Sequence, residues 1–131
     1  KDVLQHFKPG SHGSTFGGNP LASKVAAKAI DLLFEEKLIE NSEKMGNYFL
    51  SKLRQINSKA IKEVRGKGLW IGMELNTSDV NAKDLCLMLL NEGLLCKETH
   101  KTVIRFAPPL MISKDDLDWA IDKITKVLRT I

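Results

Sequence analysis

The spacing of hydrophobic residues changes several times along the chain, and each change marks an element. Residues 1–18 hold no sustained apolar period and carry Pro9, Gly10, Gly13, Gly17 and Gly18, so they read as loop. From Pro20 to Glu36 apolar residues fall at Leu21, Val25, Ala29 and Leu32/Leu33, close to helical spacing, with Asn19 as N-cap and Pro20 as first helical residue. A second helix is predicted over Leu38–Ile56: Met45, Phe49, Leu53 and Ile56 make its apolar stripe, with Glu43, Lys52 and Arg54 outside it. The period then shortens. Ile61–Val64 and Leu69–Leu75 are β-prone runs separated by Gly66 and Gly68.

Helical spacing returns over Asn81–Asn91 through Ala82, Leu85, Cys86 and Leu89, and Gly93 stands where a helix C′ residue belongs. Leu94–Cys96 and Val103–Phe106 read as strands, the second ended by Pro108-Pro109, since proline has no N–H to give a ladder. In the last helix Ser113 and Asp116 form a capping-box-like pair, and Leu117, Ile121, Ile124, Leu128 and Ile131 recur at helical intervals. Trp119 lies off that stripe and is available to another domain.

The order α-α-β-β-α-β-β-α predicts a small α/β (α+β two-layer) fold in which helices cover one face of a short-stranded sheet. Residues 38–131 contain enough elements for their own core. Residues 1–37 offer a helix with an apolar face and no sheet for it to cover, which reads as the tail of a neighbouring domain.

Composition narrows the function classes. With 131 residues, 43% hydrophobic and 27% charged, the chain is globular. Its net charge of +4 is spread among interspersed acids and bases, so no nucleic-acid partner is expected. No apolar run approaches the roughly 20 residues that span a bilayer, and no membrane association is expected. Cys86 and Cys96 form no CxxC pair or Cys/His ligand set, so no metal is expected; two free thiols suit a reducing cytoplasm.

Two places carry chemistry. In Ser11-His12-Gly13-Ser14-Thr15-Phe16-Gly17-Gly18-Asn19-Pro20, adjacent hydroxyls and side-chain-free backbone meet a helix start, a combination that can hold an anion; with no Walker or dinucleotide fingerprint matched, spacing alone favours a Gly/Ser-rich loop entering a helix. Arg105 interrupts an apolar strand. Its guanidinium must leave the core or meet a buried anion, because an unpaired buried charge is costly. Arg65-Gly66-Lys67-Gly68 reads as a tight strand connection with two solvated cations, and His12 and His100 as local hydrogen-bonding residues.

The run from Gly10 to Ala22, together with Val64-Arg65-Gly66-Lys67-Gly68-Leu69, Leu94-Leu95-Cys96-Lys97-Glu98-Thr99-His100 and Val103-Ile104-Arg105-Phe106-Ala107-Pro108-Pro109-Leu110, resembles class III pyridoxal-phosphate aminotransferases. The resemblance covers nearly the whole chain but only the C-terminal third of the family's length. It implies a fold-type I small C-terminal domain over residues 38–131, preceded over residues 1–37 by a loop and helix of the large domain. It implies pyridoxal 5'-phosphate as cofactor, with Ser14 and Thr15 donating to its phosphate across a homodimer interface and Arg105 binding a substrate carboxylate. Lys97, Glu98 and His100 match the family without acquiring a role.

The resemblance implies that the cofactor-anchoring lysine lies upstream of the Gly13-Ser14-Thr15 segment and outside these 131 residues, with the aspartate facing the pyridine nitrogen and the aromatic residue on the ring also upstream. These 131 residues alone are therefore expected to be inactive, and a longer polypeptide beginning before Lys1 is expected. Within the class, the runs from Leu94 and Val103 favour members that move the δ-amino group of ornithine to 2-oxoglutarate, giving glutamate semialdehyde and glutamate, in arginine and proline metabolism. Members acting on N-acetylornithine share two of the motifs and stay open. So does a free-standing amino-acid-binding regulatory module, although such a module has no use for the 11–20 loop.

Overall fold

The computed structural model describes residues 2–76 and 81–131. They form two compact units that divide between Glu36 and Lys37. The first opens with a short 3-10 helix, Asp2–His6, within the stretch read as loop. Helix α1, Pro20–Glu35, follows the predicted cap: the Asn19 side chain accepts from Ala22 N–H at 2.9 Å. No residue of α1 is buried. At about 100° per residue, Leu21 and Val25 lie on one side of α1 and Ile30 and Phe34 on the opposite side, all exposed.

The second unit holds α2 (Leu38–Arg54), β1 (Ile61–Lys67), β2 (Trp70–Leu75), α3 (Ala82–Asn91), β3 (Lys97–Thr99), β4 (Val103–Phe106) and α4 (Lys114–Leu128). Its sheet has the order β1-β2-β4-β3, antiparallel throughout. The chain leaves β2 through α3, lays β3 at the far edge and returns with β4 against β2. Ile71, Met73 and Leu75 alternate with Trp70, Gly72 and Glu74, so one face of β2 is wholly apolar; Ile104 and Phe106 extend it. On it pack Phe49 and Leu53 of α2, Leu85 and Leu89 of α3, and Leu117 and Ile124 of α4. Phe49 meets Phe106 edge-on, with ring centroids 5.8 Å apart. No polar or charged residue lies in this core among the described residues.

Three sequence expectations shift. Strand β1 runs through Gly66, and the turn is Gly68-Leu69 alone. Gly66 is needed for closeness rather than turning: a Cβ there would sit 2.6 Å from the Trp70 carbonyl oxygen. Gly68, with φ +54, supplies the positive first position of a two-residue hairpin. The strand expected at Leu94–Cys96 begins at Lys97. The end of α3 is a Schellman motif, Leu94 N–H bonding Leu89 C=O and Gly93 N–H bonding Leu90 C=O, both at 2.9 Å, so the backbone of Leu94 is already committed. In α4, Ala120 and Val127 join Leu117, Ile124 and Leu128 in the core, while Ile131 lies past the helix end and is exposed.

Candidate functional site

In the first unit the loop before α1 is shaped by its own hydrogen bonds. The Ser14 hydroxyl accepts from Gly17 N–H at 2.9 Å, which leaves its proton free to donate. Gly17 is tight against that residue; a Cβ would meet Ser14 Cβ at 3.0 Å. The Asn19 N–H and side-chain amide both donate to Phe16 C=O, closing a turn whose third residue, Gly18, has φ +77, as a type II turn requires. Ser14 and Thr15 are exposed, and the Thr15 hydroxyl has no hydrogen bond to another described residue. Two outward hydroxyls thus stand one turn before a helix N-terminus, where backbone N–H groups and the helix dipole favour an anion.

In the second unit Arg105 lies on the sheet face away from α2, α3 and α4. Its cross-strand partners are Gly72 on β2 and Lys97 on β3, and Gly72 is paired in turn with Arg65 on β1. Three cations therefore lie in one row across this face, with a glycine between the two arginines. They are differently occupied. Arg65 is held by Glu63 at 2.9 Å and Glu74 at 2.7 Å, and Glu74 is also bound by Lys62 at 2.6 Å. Hydrogen bonds from Lys62 and Arg65 keep the Glu74 carboxyl below its ordinary pKa. Lys97 pairs with Glu98 at 3.0 Å. Arg105 has no ion pair or side-chain hydrogen bond among the described residues; its guanidinium carbon lies 5.9 Å from the ring centre of Trp70. A guanidinium that has an aromatic ring rather than a carboxylate for a neighbour keeps its N–H groups for a ligand carboxylate.

Ser14 and Thr15 thus share one unit, and Arg105 stands in the other. Lys97 acquires a place beside Arg105, and Arg65, read as solvated, is tied to two glutamates on the same face. His100, at φ +54, and Lys101, at φ +63, form the β3–β4 connection and face solvent. His12 is exposed, 5.9 Å from the Phe7 ring. Cys86 and Cys96 are free thiols with sulfurs 3.4 Å apart; burial raises both pKa values, which makes them poor nucleophiles. Among the described residues no group of acids, cysteines and histidines could hold a metal ion, and no helix is long and apolar enough to cross a membrane.

Trp70 and Gly72 were not recognisable as site residues from the sequence. Alternation along β2 puts both on the polar face, but their nearness to Arg105 comes from pairing β2 with a strand more than thirty positions later.

The chain is similar to known proteins over nearly all of its length. An ornithine aminotransferase of Geobacillus sp. (strain WCH70) is 61% identical over 97% of the chain, and that of Bacillus subtilis (strain 168) is 59% identical over 98%. The chain spans about a third, 31%, of the length of each of these curated relatives. Among solved structures, ornithine aminotransferase from Plasmodium yoelii superposes with a TM-score of 0.85 at 43% identity, covering 98% of this chain and 35% of that one. Acetylornithine aminotransferase from Elizabethkingia anophelis gives 0.84 at 43% identity, with 99% and 35% covered. A sequence model of the class-III aminotransferases matches residues 1–128, and the chain belongs to that family.

Proposed function

We propose that these residues are the C-terminal part of an ornithine:2-oxo-acid aminotransferase. The identity near 60% to ornithine aminotransferases along almost the entire chain carries the reading; the two solved structures do not discriminate, because ornithine and acetylornithine enzymes superpose equally well. Residues 1–37 then belong to the large domain, whose remainder covers both sides of α1. Residues 38–131 are the small domain.

Class III aminotransferases are pyridoxal-phosphate-dependent, and the loop suits the phosphate end of that cofactor. Ser14 keeps a proton to donate, the Thr15 hydroxyl is engaged by no other described residue, and α1 begins beside them. In the homodimer these donors reach the partner subunit's cofactor. When bound, the cofactor supplies the electron sink for amino-group transfer. The chain's own contribution is to hold the phosphate through Ser14 and Thr15 and to orient a carboxylate through Arg105. That carboxylate belongs to the oxo acid, 2-oxoglutarate, or to the glutamate formed from it. In the family the lysine that anchors the cofactor lies upstream of the part these residues match, and none of their own lysines sits in its motif, so residues 1–131 alone have no transaminase activity. The enzyme works in the cytoplasm.

Kinetics of the full-length enzyme with ornithine and with N-acetylornithine, each with 2-oxoglutarate, test the substrate. Higher kcat/KM for ornithine is expected; preference for the acetylated amine overturns the reading.

A further inference from the structure

The cation row poses a question of control: a guanidinium on an open sheet face with carboxylates nearby ordinarily pairs with one of them. Arg65 does so twice, through Glu63 and Glu74. Arg105, one strand further and across the same glycine, does not; its neighbour is the indole of Trp70. Trp70 is diagonal to Arg105, two positions along β2 from Gly72, within reach of a long side chain across an antiparallel pair. Its side chain is not in the core, being 67% exposed, so packing within these residues does not account for a tryptophan at this point. Gly72 leaves the space between the two arginines open; a Cβ there would contact only Val103 Cγ1 at 3.4 Å and the Arg65 carbonyl oxygen at 4.0 Å.

We propose that Trp70 is a positioning residue for Arg105: its ring, 5.9 Å from the guanidinium carbon, restrains the side chain through a cation–π contact without neutralising it. A carboxylate in the same place would also fix the side chain but would occupy the donors and cancel the charge. An aromatic face does neither. Lys62 and Arg65 assist by engaging Glu74, the acid nearest on β2, in two hydrogen bonds and so keeping it from Arg105. The ligand class is the carboxylate of an oxo-acid substrate. The inference rests on the reading of Arg105 as a carboxylate binder.

The test uses the full-length enzyme, with KM and kcat for 2-oxoglutarate measured at saturating ornithine. Trp70→Ala and Trp70→Leu are expected to raise KM by about two- to fivefold, the scale of one exposed cation–π contact, with kcat nearly unchanged. Trp70→Phe, which restores a π face, is expected to recover most of the loss, whereas the apolar but non-aromatic leucine does not. In an Arg105→Ala background, Trp70→Ala is expected to add nothing. Unchanged KM in Trp70→Ala beside a raised KM in Arg105→Ala overturns the role of Trp70 and leaves Arg105 standing. An equal effect of Trp70→Ala in both backgrounds, or full recovery with leucine, also overturns it. Unchanged KM in Arg105→Ala overturns the carboxylate reading itself and the role of Trp70 with it.

Discussion

At the scale of single residues, Arg105 and Thr15 carry the sharpest expectations, because each offers donors that no other described residue engages. Arg105→Ala in the full-length enzyme should cost about 2–5 kcal/mol of transition-state binding if its carboxylate contact is desolvated. The loss should fall on the half-reaction that uses the oxo acid, with the thermal midpoint unchanged, since the side chain leaves the core. Measuring kcat/KM for each half-reaction beside a melting curve separates this from unfolding. Thr15→Ala should weaken retention of pyridoxal phosphate by about 1–2 kcal/mol, the order of one hydrogen bond to a charged group; equilibrium dialysis of the cofactor reads it directly. Both positions could be singled out in the sequence for the same reason: a polar group stands where its local pattern does not call for one. Trp70 could not, because an aromatic residue beginning a strand is ordinary until the partner strand is known.

At the scale of elements, two contacts fix how helices meet the sheet. Helix α2 crosses the β1–β2 turn at Gly46, where a Cβ would lie 2.1 Å from the Gly68 carbonyl carbon and oxygen. Ser42, one turn earlier, accepts from Leu69 N–H at 3.3 Å. Gly46→Ala therefore forces helix and hairpin apart. Overpacking against backbone should outweigh the roughly 1 kcal/mol that alanine gains in a helix, for a net loss of about 2 kcal/mol by denaturant titration. The second contact is Glu92 at the end of α3, bonded to Lys123 at 3.2 Å and Lys126 at 2.7 Å on α4. Hydrogen bonds from Lys126 and then Lys123 hold its carboxyl below the ordinary pKa. A depressed folded pKa means stability that is complete above the unfolded value and lost as pH falls through the folded one. Glu92→Gln should accordingly melt earlier than the parent at neutral pH, and the gap should close on acidification below the normal carboxylate range. Element identity was legible because caps and periods agreed: Asn19 and Ser113, read as caps, each accept a backbone N–H at a helix start, and Asn81, read as the first helical residue, does the same as the cap of α3. Gly66 misled because the sequence cannot show whether a glycine turns the chain or lets two strands close up. β3 was displaced because a Schellman motif uses residues that look strand-like.

At the scale of the whole chain, the decisive fact is where the core lies. Every buried hydrophobic residue described falls between Met45 and Leu128, and α1 buries none of its sixteen residues. The sequence anticipated a helix with one apolar face; the positions of Leu21, Val25, Ile30 and Phe34 instead give it apolar side chains on two opposite sides, the pattern of a helix enclosed by other structure. Such a helix adds little to the fold of these residues alone, since an isolated helix of this length is marginal in water. The 37–131 unit, by contrast, has three helices on one sheet face and should unfold as a single cooperative body. Deleting residues 1–36 should therefore leave the thermal midpoint of the 131-residue chain within about 2 °C, a ΔΔG well under 1 kcal/mol for a domain of this size. In the intact chain, amides of α1 should exchange with solvent far faster than those of β2 and β4, whose exchange reports global opening. A large fall in midpoint on deletion, or α1 amides as slow as those of Ile71 and Ile104, would show that α1 belongs to the small-domain core. The proposed place of α1 in the large domain makes one further expectation: in the full-length enzyme the same α1 amides should become slow, as they would if that domain encloses both apolar sides of the helix.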